Sequence, residues 1–369
     1  MISITKDKRH ILWLVFGGLA IGVISSLLVF FGNPRNMGFC NACFIRDIAG
    51  SLKLHTAGVV QYFRPEIIGL IVGSSLIALL KGEFKPRGGS SPFLRFVISF
   101  CVMIGALVFL GCPFRMILRL AGGDQNALIG LFGFIAGIAL GCVFIQRGFS
   151  LGPAKSQKMI EGTSFSVVSV FMFLVFLIFP SLFAFSQSGP GSMHAPILLA
   201  LTAGIVVGVI AQRSRLCMVG GIRDTFLLND CTLLLGFVSI YVAALVVNLI
   251  LNAATGQTFF SFGFSSQPVA HKAQVWNFLG MLVVGLGSAM LGGCPLRQII
   301  LASEGNSDSA ISVIGMLIGA AFAHNFSLAG SAMTDSSIGG PSVNGKVAIV
   351  VAIIILLSIA SIVTFKRRK

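Results

Sequence analysis

Apolar residues come in ten long runs, separated by shorter polar stretches: 11–32, 65–80, 95–111, 126–145, 163–185, 195–212, 232–252, 275–293, 309–329 and 346–365. Each is long enough, or nearly so, to cross a hydrocarbon core about 30 Å thick. The second and third are short and need tilt or extension at their ends. The first follows Lys6, Lys8 and Arg9 and has no small-residue cleavage site, so it reads as an uncleaved anchor. The pattern predicts an all-α polytopic membrane protein. Composition closes off the alternatives. Of 369 residues, 56% are hydrophobic and only 10% charged, and the mean hydropathy is +0.97. A soluble domain carries about 25% charged residues. A soluble enzyme, a disordered chain and a collagen-like fibre are all excluded.

The charged residues orient the spans. Lys and Arg exceed Asp and Glu by 15, which in a membrane protein reads as basic loops and not as a nucleic-acid surface. Residues 1–10 and the tail Lys366-Arg367-Arg368-Lys369 are basic, as are the loops 81–95 and 146–160. The segments 186–195 and 330–345 have no Lys or Arg, and 253–274 has only Lys272. Ten spans with both termini in the cytoplasm fit. Two stretches run against this order. Residues 33–64 carry Arg35, Arg46, Lys53 and Arg64, and residues 112–124 carry Arg115 and Arg119. These are expected to be re-entrant half-helices lining a cavity, where a buried charge has a partner or a substrate.

The chain also repeats itself. Cys40-Asn-Ala-Cys-Phe-Ile-Arg-Asp47 matches Cys217-Met-Val-Gly-Gly-Ile-Arg-Asp224 at a shift of 177. Leu110-Gly-Cys-Pro-Phe-Arg115 matches Gly292-Gly-Cys-Pro-Leu-Arg297 at a shift of 182, and Gly133 and Gly137 match Gly315 and Gly319 at the same shift. Upstream, Gly18 and Gly22 sit in a run resembling that around Gly204 and Gly208. Five spans separate the copies, so the second is inserted upside down. Inverted repeats place a substrate site near the midplane, where interrupted helices meet. The expected division is 1–10 (cytoplasmic terminus), 11–160 (repeat 1), 161–194 (linking span), 195–330 (repeat 2, inverted) and 331–369 (final span and basic tail).

The duplicated residues carry the chemistry. Proline suits the first turn of a helix, so Cys112 and Cys294 are expected at the N-termini of short helices. Free N–H groups and the positive dipole end collect there and favour an anion. Arg115 and Arg297 follow one turn later. A thiol, backbone donors and a guanidinium suit a small sulfur-containing oxyanion. An inert packed cysteine is the other reading for one copy, and the duplication argues against it. Cys40 and Cys217 form the second candidate pair. Arg46-Asp47 and Arg223-Asp224 follow them. Neighbours on a helix point about 100° apart, so each Arg and Asp is expected to join different partners in a structural role. Cys43 completes a lone CxxC, which is weak evidence for redox or zinc chemistry, and Gly220 replaces it in the second copy. Cys142 falls opposite His324, and both are candidates to line the path. Cys101 and Cys231 have no counterpart and read as core. No metal or other cofactor is expected.

These motifs resemble the YeeE/YedE family of bacterial inner-membrane proteins, the sulfur-transport group. Cys40-Asn-Ala-Cys-Phe-Ile-Arg-Asp-Ile-Ala-Gly50, followed by Val59-Val-Gln-Tyr-Phe-Arg-Pro-Glu-Ile-Ile-Gly69, is similar to the YedE branch associated with selenium metabolism. The resemblance implies uptake of thiosulfate or of a selenium compound, a relay of cysteines in a constricted path, and a TusA-like sulfur-carrier protein as partner. Carried over, the relay falls on Cys40, Cys112, Cys217 and Cys294. Cys43 departs from the simpler pattern. The expected function is transport, not enzymatic. Its rivals are a membrane thiol–disulfide oxidoreductase and a soft-metal transporter.

Overall fold

The computed structural model of the protein describes residues 7–366. The basic residues Lys6, Arg367, Arg368 and Lys369 lie outside them. The first seven helices are α1 (Lys8–Phe30), α2 (Asn41–Ser51), α3 (Pro65–Leu80), α4 (Pro92–Phe109), α5 (Pro113–Ala121), α6 (Asn126–Gln146) and α7 (Met159–Ile178). The next seven are α8 (Ile197–Arg213), α9 (Met218–Leu228), α10 (Leu234–Thr255), α11 (Gln274–Leu291), α12 (Pro295–Ser303), α13 (Ser307–Asn325) and α14 (Val343–Lys366). Strand among the described residues amounts to two ladders of two residues a side. Nine helical stretches there are long and apolar enough to cross a membrane, and α3, at 16 residues, is a shorter apolar helix. The protein is an all-α polytopic membrane protein, as the apolar pattern predicts. One boundary differs. The run 163–185 does not stay helical, because α7 stops at Ile178 and Phe179-Pro180 turns the chain. The residue before a proline is pushed out of the helical region.

Two sets of six helices run in the same order. The short members match in length: α2 and α9 have 11 residues, α5 and α12 have nine. Their packing is exchanged crosswise. α1 lies on α10, and α8 on α3. α6 lies on α11, and α13 on α4. α2 meets α13, and α9 meets α6. α5 meets α10, and α12 meets α3. α4 and α11 pack on each other at the centre. The remaining two helices break this order: α7 packs on α3, α12 and α13, whereas α14 packs on α4 and α11.

Glycine permits these crossings. A Cβ on Gly204 of α8 would run into the Glu66 carbonyl of α3, and one on Gly69 into the Leu201 carbonyl. Gly18 faces the Gly236 carbonyl across α1 and α10, and Gly133 faces that of Phe278 across α6 and α11. In lipid, where apolar tails compete equally well for apolar side chains, close backbone contact of this kind drives association.

The two stretches that break the positive-inside order are largely buried. α2 and α5 lie inside the bundle, and Arg64, Arg115 and Arg119 are fully buried. Each of the first and last has an ion partner: Arg64 bonds Asp47 at 2.7 Å and Arg119 bonds Asp124 at 2.7 Å.

Candidate functional site: four helices capped by cysteine

All four duplicated cysteines stand at the same structural position, the residue that caps a short helix: Cys40 for α2, Cys112 for α5, Cys217 for α9 and Cys294 for α12. Pro113 and Pro295 explain two of these starts. Proline presets the first helical φ and lacks the N–H that would otherwise go unpaired. The other two starts are made by sulfur itself. Cys40 Sγ accepts the Cys43 N–H at 3.4 Å, and Cys217 Sγ accepts the Gly220 N–H at 3.3 Å. Cysteine here takes the place of the usual Ser or Asp cap.

The caps meet in pairs across helices. Cys40 Sγ and Cys112 Sγ are 3.8 Å apart. The Ala42 backbone N–H, from the first turn of α2, faces the Cys112 sulfur. Cys43 donates its backbone N–H to Cys40 Sγ at 3.4 Å, so a third thiol stands beside the first pair. In the second half, the Cys217 and Cys294 thiols are close enough for each to act on the other's charge. Cys40, Cys43 and Cys112 are fully buried, and Cys217 and Cys294 nearly so. None of Cys40, Cys43, Cys112, Cys217 and Cys294 is in a disulfide.

The two arginines of the Cys-Pro-x-Arg motifs have different surroundings. Arg115 donates from Nε to the Asn36 carbonyl at 3.0 Å and from Nη2 to the Val269 carbonyl at 3.1 Å. Nη1 donates to the Leu110 carbonyl and lies 3.8 Å from Cys43 Sγ. Its contacts among the described residues are carbonyls and a thiol, so no carboxylate offsets this buried cation. Arg297 instead lies 3.4 Å from the Glu304 carboxylate.

The Arg-Asp neighbours depart from expectation. Arg46 bonds Asp47 at 2.7 Å, and Arg223 bonds Asp224 at 2.8 Å. Their Cα–Cβ bonds do diverge, but the long arginine chain folds back along the helix and closes the gap. The second expected partner exists in one case: Asp47 Oδ2 also takes Arg64 Nε at 2.7 Å. Arg64 further donates to the Met193 and Pro190 carbonyls, tying α2 to the segment before α8. In the sequence this arginine stands out only as one basic residue in a charged stretch.

Cys142 and His324 do not join the thiols. Cys142 on α6 faces Arg223 and Asp224 of α9. His324 on α13 lies within electrostatic reach of Arg46 and Asp47 of α2, and its ring is tilted 31° to that of His55 with centroids 4.7 Å apart. His55 lies in the turn after α2, accepts the Ala57 N–H at Nδ1 and uses Nε2 on the Arg46 carbonyl. No pattern in the sequence marks it. Cys101 is buried among apolar residues of α4, as expected of a core residue.

Comparison with known proteins bears on this geometry. Residues 213–369 match the family model described as Sulphur transport. The second half of the chain carries that family's signature. The matched span holds Cys217, Cys294 and Arg297, and the resemblance to the YeeE/YedE sulfur-transport family is borne out over it. The match points to sulfur transport, and so to a transporter in place of an enzyme, with a bilayer and a small anion as its surroundings. No curated protein matches the chain.

Proposed function

We propose that the protein takes up a small sulfur- or selenium-containing oxyanion, thiosulfate or a selenium analogue, along a path where Cys40, Cys112, Cys217 and Cys294 hold it in turn. The observation that carries this reading is a pair of cysteine-capped helix starts, Cys40 and Cys112 with sulfurs 3.8 Å apart, beside Arg115, a buried cation that bonds no carboxylate among the described residues. Such a place stabilises an anion and lacks one of its own. Thiols are weak donors, and weak successive contacts let an ion enter a constriction and still leave it. Two inverted repeats would present equivalent groups to the two faces. We place the protein in the bacterial inner membrane with both termini in the cytoplasm, delivering to a TusA-like sulfur carrier. Arg46, Asp47, Arg223, Asp224, Cys142 and His324 act in support, holding the half-helices.

Uptake into reconstituted vesicles tests this, with thiosulfate, sulfite, selenite and selenosulfate as the panel. Cys112→Ala and Cys294→Ala should each lower uptake about tenfold or more, the worth of one lost hydrogen bond, at normal protein abundance. Cys101→Ala and Cys231→Ala should be silent. Equal uptake by all four variants would refute the relay.

The contact of Cys40, Cys43 and Cys112 favours one other reading, thiol–disulfide exchange. Full uptake by Cys43→Ser, with no redox activity in the purified protein, would remove it.

A further inference from the structure

On the face that carries the 81–91 loop, three arginines from separate segments meet one carboxylate. Glu304 is the residue capping the C-terminal end of α12 and is 2% exposed. Its Oε1 lies 3.4 Å from Arg297 Nη1, and its Oε2 lies 3.8 Å from Arg215 Nη1 and 3.9 Å from Arg87 Nη2. These are loose contacts, against 2.7 Å for Arg64 on Asp47. Glu304 Oε1 and Arg297 Nη1 are both buried with no hydrogen-bond partner. The helix dipole adds nothing to hold the carboxylate, because a C-terminus disfavours negative charge. It stays by attraction to guanidinium groups whose forks it does not engage. Arg215 shares its charge with Glu83 at 3.1 Å. Arg215 and Arg87 are 46% and 34% exposed at their side chains, so the cluster opens to water there. Arg297, at its inner edge, is one helical turn from Cys294.

We infer that Arg87, Arg215 and Arg297 form a second anion station beyond the thiols, and that Glu304 is its resident counter-ion, displaced when a small divalent oxyanion moves on from Cys217 and Cys294. This rests on the proposed passage of an anion. A compact oxyanion can take paired hydrogen bonds from guanidinium forks, which the tethered carboxylate does not reach. Once displaced, Glu304 remains beside the anion and repels it, which favours release. Among the described residues the first half has no such counter-ion at Arg115, so the two ends of the path hold an anion unequally.

Thiosulfate protection of Cys294 and of Cys112 against a small permeant alkylating reagent, in the purified full-length protein, tests the station. Glu304→Gln should lower the half-protecting concentration at Cys294 about tenfold, leave that at Cys112 unchanged, and slow turnover in vesicles. Glu304→Asp keeps the buried charge but shortens its reach, and should shift Cys294 the same way by less. Arg215→Gln should raise the concentration needed at Cys294. If Glu304→Gln melts as the parent does and Cys294 protection is unchanged or weaker, the station is wrong. Should Glu304→Gln not fold, unchanged protection in both Glu304→Asp and Arg215→Gln overturns the station equally. Absence of thiosulfate protection at every cysteine of the parent would remove the transport reading and this inference with it. Protection of the parent that no variant moves removes only the station.

Discussion

Asp47 shows how much one residue holds in this protein. Its two oxygens each take a guanidinium at 2.7 Å, Arg46 on Oδ1 and Arg64 on Oδ2, and all three side chains are buried. Replacing it with Asn leaves two buried cations facing a neutral amide. Breaking a buried pair from one side costs about 3–5 kcal/mol. Asp47→Asn should therefore lower the melting temperature in detergent sharply and reduce the accumulated protein. Arg115→Lys tests a different property. The guanidinium reaches three carbonyls and a thiol in separate directions, which a point charge on a thin stem does not reproduce. Uptake should fall at least several-fold while abundance changes less than for Asp47→Asn, as vesicle transport and membrane immunoblots would show. The cysteine positions are legible at this scale, since proline and duplication mark them. The Arg-Asp contact is not, because a helical wheel records where a side chain starts and not how far it reaches. Glu304 is invisible for another reason: its cations come from residues 87, 215 and 297, which only the fold assembles.

Among elements, the glycine-lined crossings set the geometry that brings the caps together. α3 and α8 touch backbone to backbone at Gly69 and Gly204. Gly204→Leu would force them apart, against a carbonyl that cannot move without its helix. The expected outcome is loss of folded protein, seen as aggregation on size exclusion, whereas Leu at Gly58, where a Cβ meets open space, should be tolerated. The starts of α5 and α12 can be read from Cys-Pro-x-Arg alone, and the burial of α2 and α5 from charges that break the positive-inside order. Which half-helices meet cannot. Cys142 and His324 align with each other under the repeat shift, yet both lie against Arg-Asp pairs and not against the thiols. A repeat shift says which positions are equivalent, and leaves open what surrounds them.

For the whole molecule, one partly exposed cluster fastens the first set of helices to the second. Glu83, in the loop after α3, takes the Gln212 amide at 2.6 Å, Arg213 at 2.8 Å and Arg215 at 3.1 Å. The Gln212 hydrogen bond first, then the charges of Arg215 and Arg213, hold the Glu83 carboxyl below its ordinary value. A carboxyl depressed in the folded state contributes its full stability above the unfolded value, about 4.3. That stability is lost as pH falls through the lower, folded value. Melting temperature should thus drop on acidification below about pH 4.3, and Glu83→Gln should make that drop shallower. A parallel drop in both proteins would assign the acid sensitivity elsewhere.

The crosswise packing constrains how such a molecule can work. Four of its largest helix contacts, α1 with α10, α3 with α8, α6 with α11 and α4 with α13, join one set of six to the other, and α4 with α11 makes a fifth. The halves are laced together like the fingers of two hands. Swinging one against the other would part all five seams at once and strip glycine faces that have no other neighbour to fit. If an anion passes along the proposed path, this packing favours side chains that yield within a fixed frame over a hinge between halves, so a chemical staple between α1 and α10 should leave uptake into vesicles running at close to its original rate.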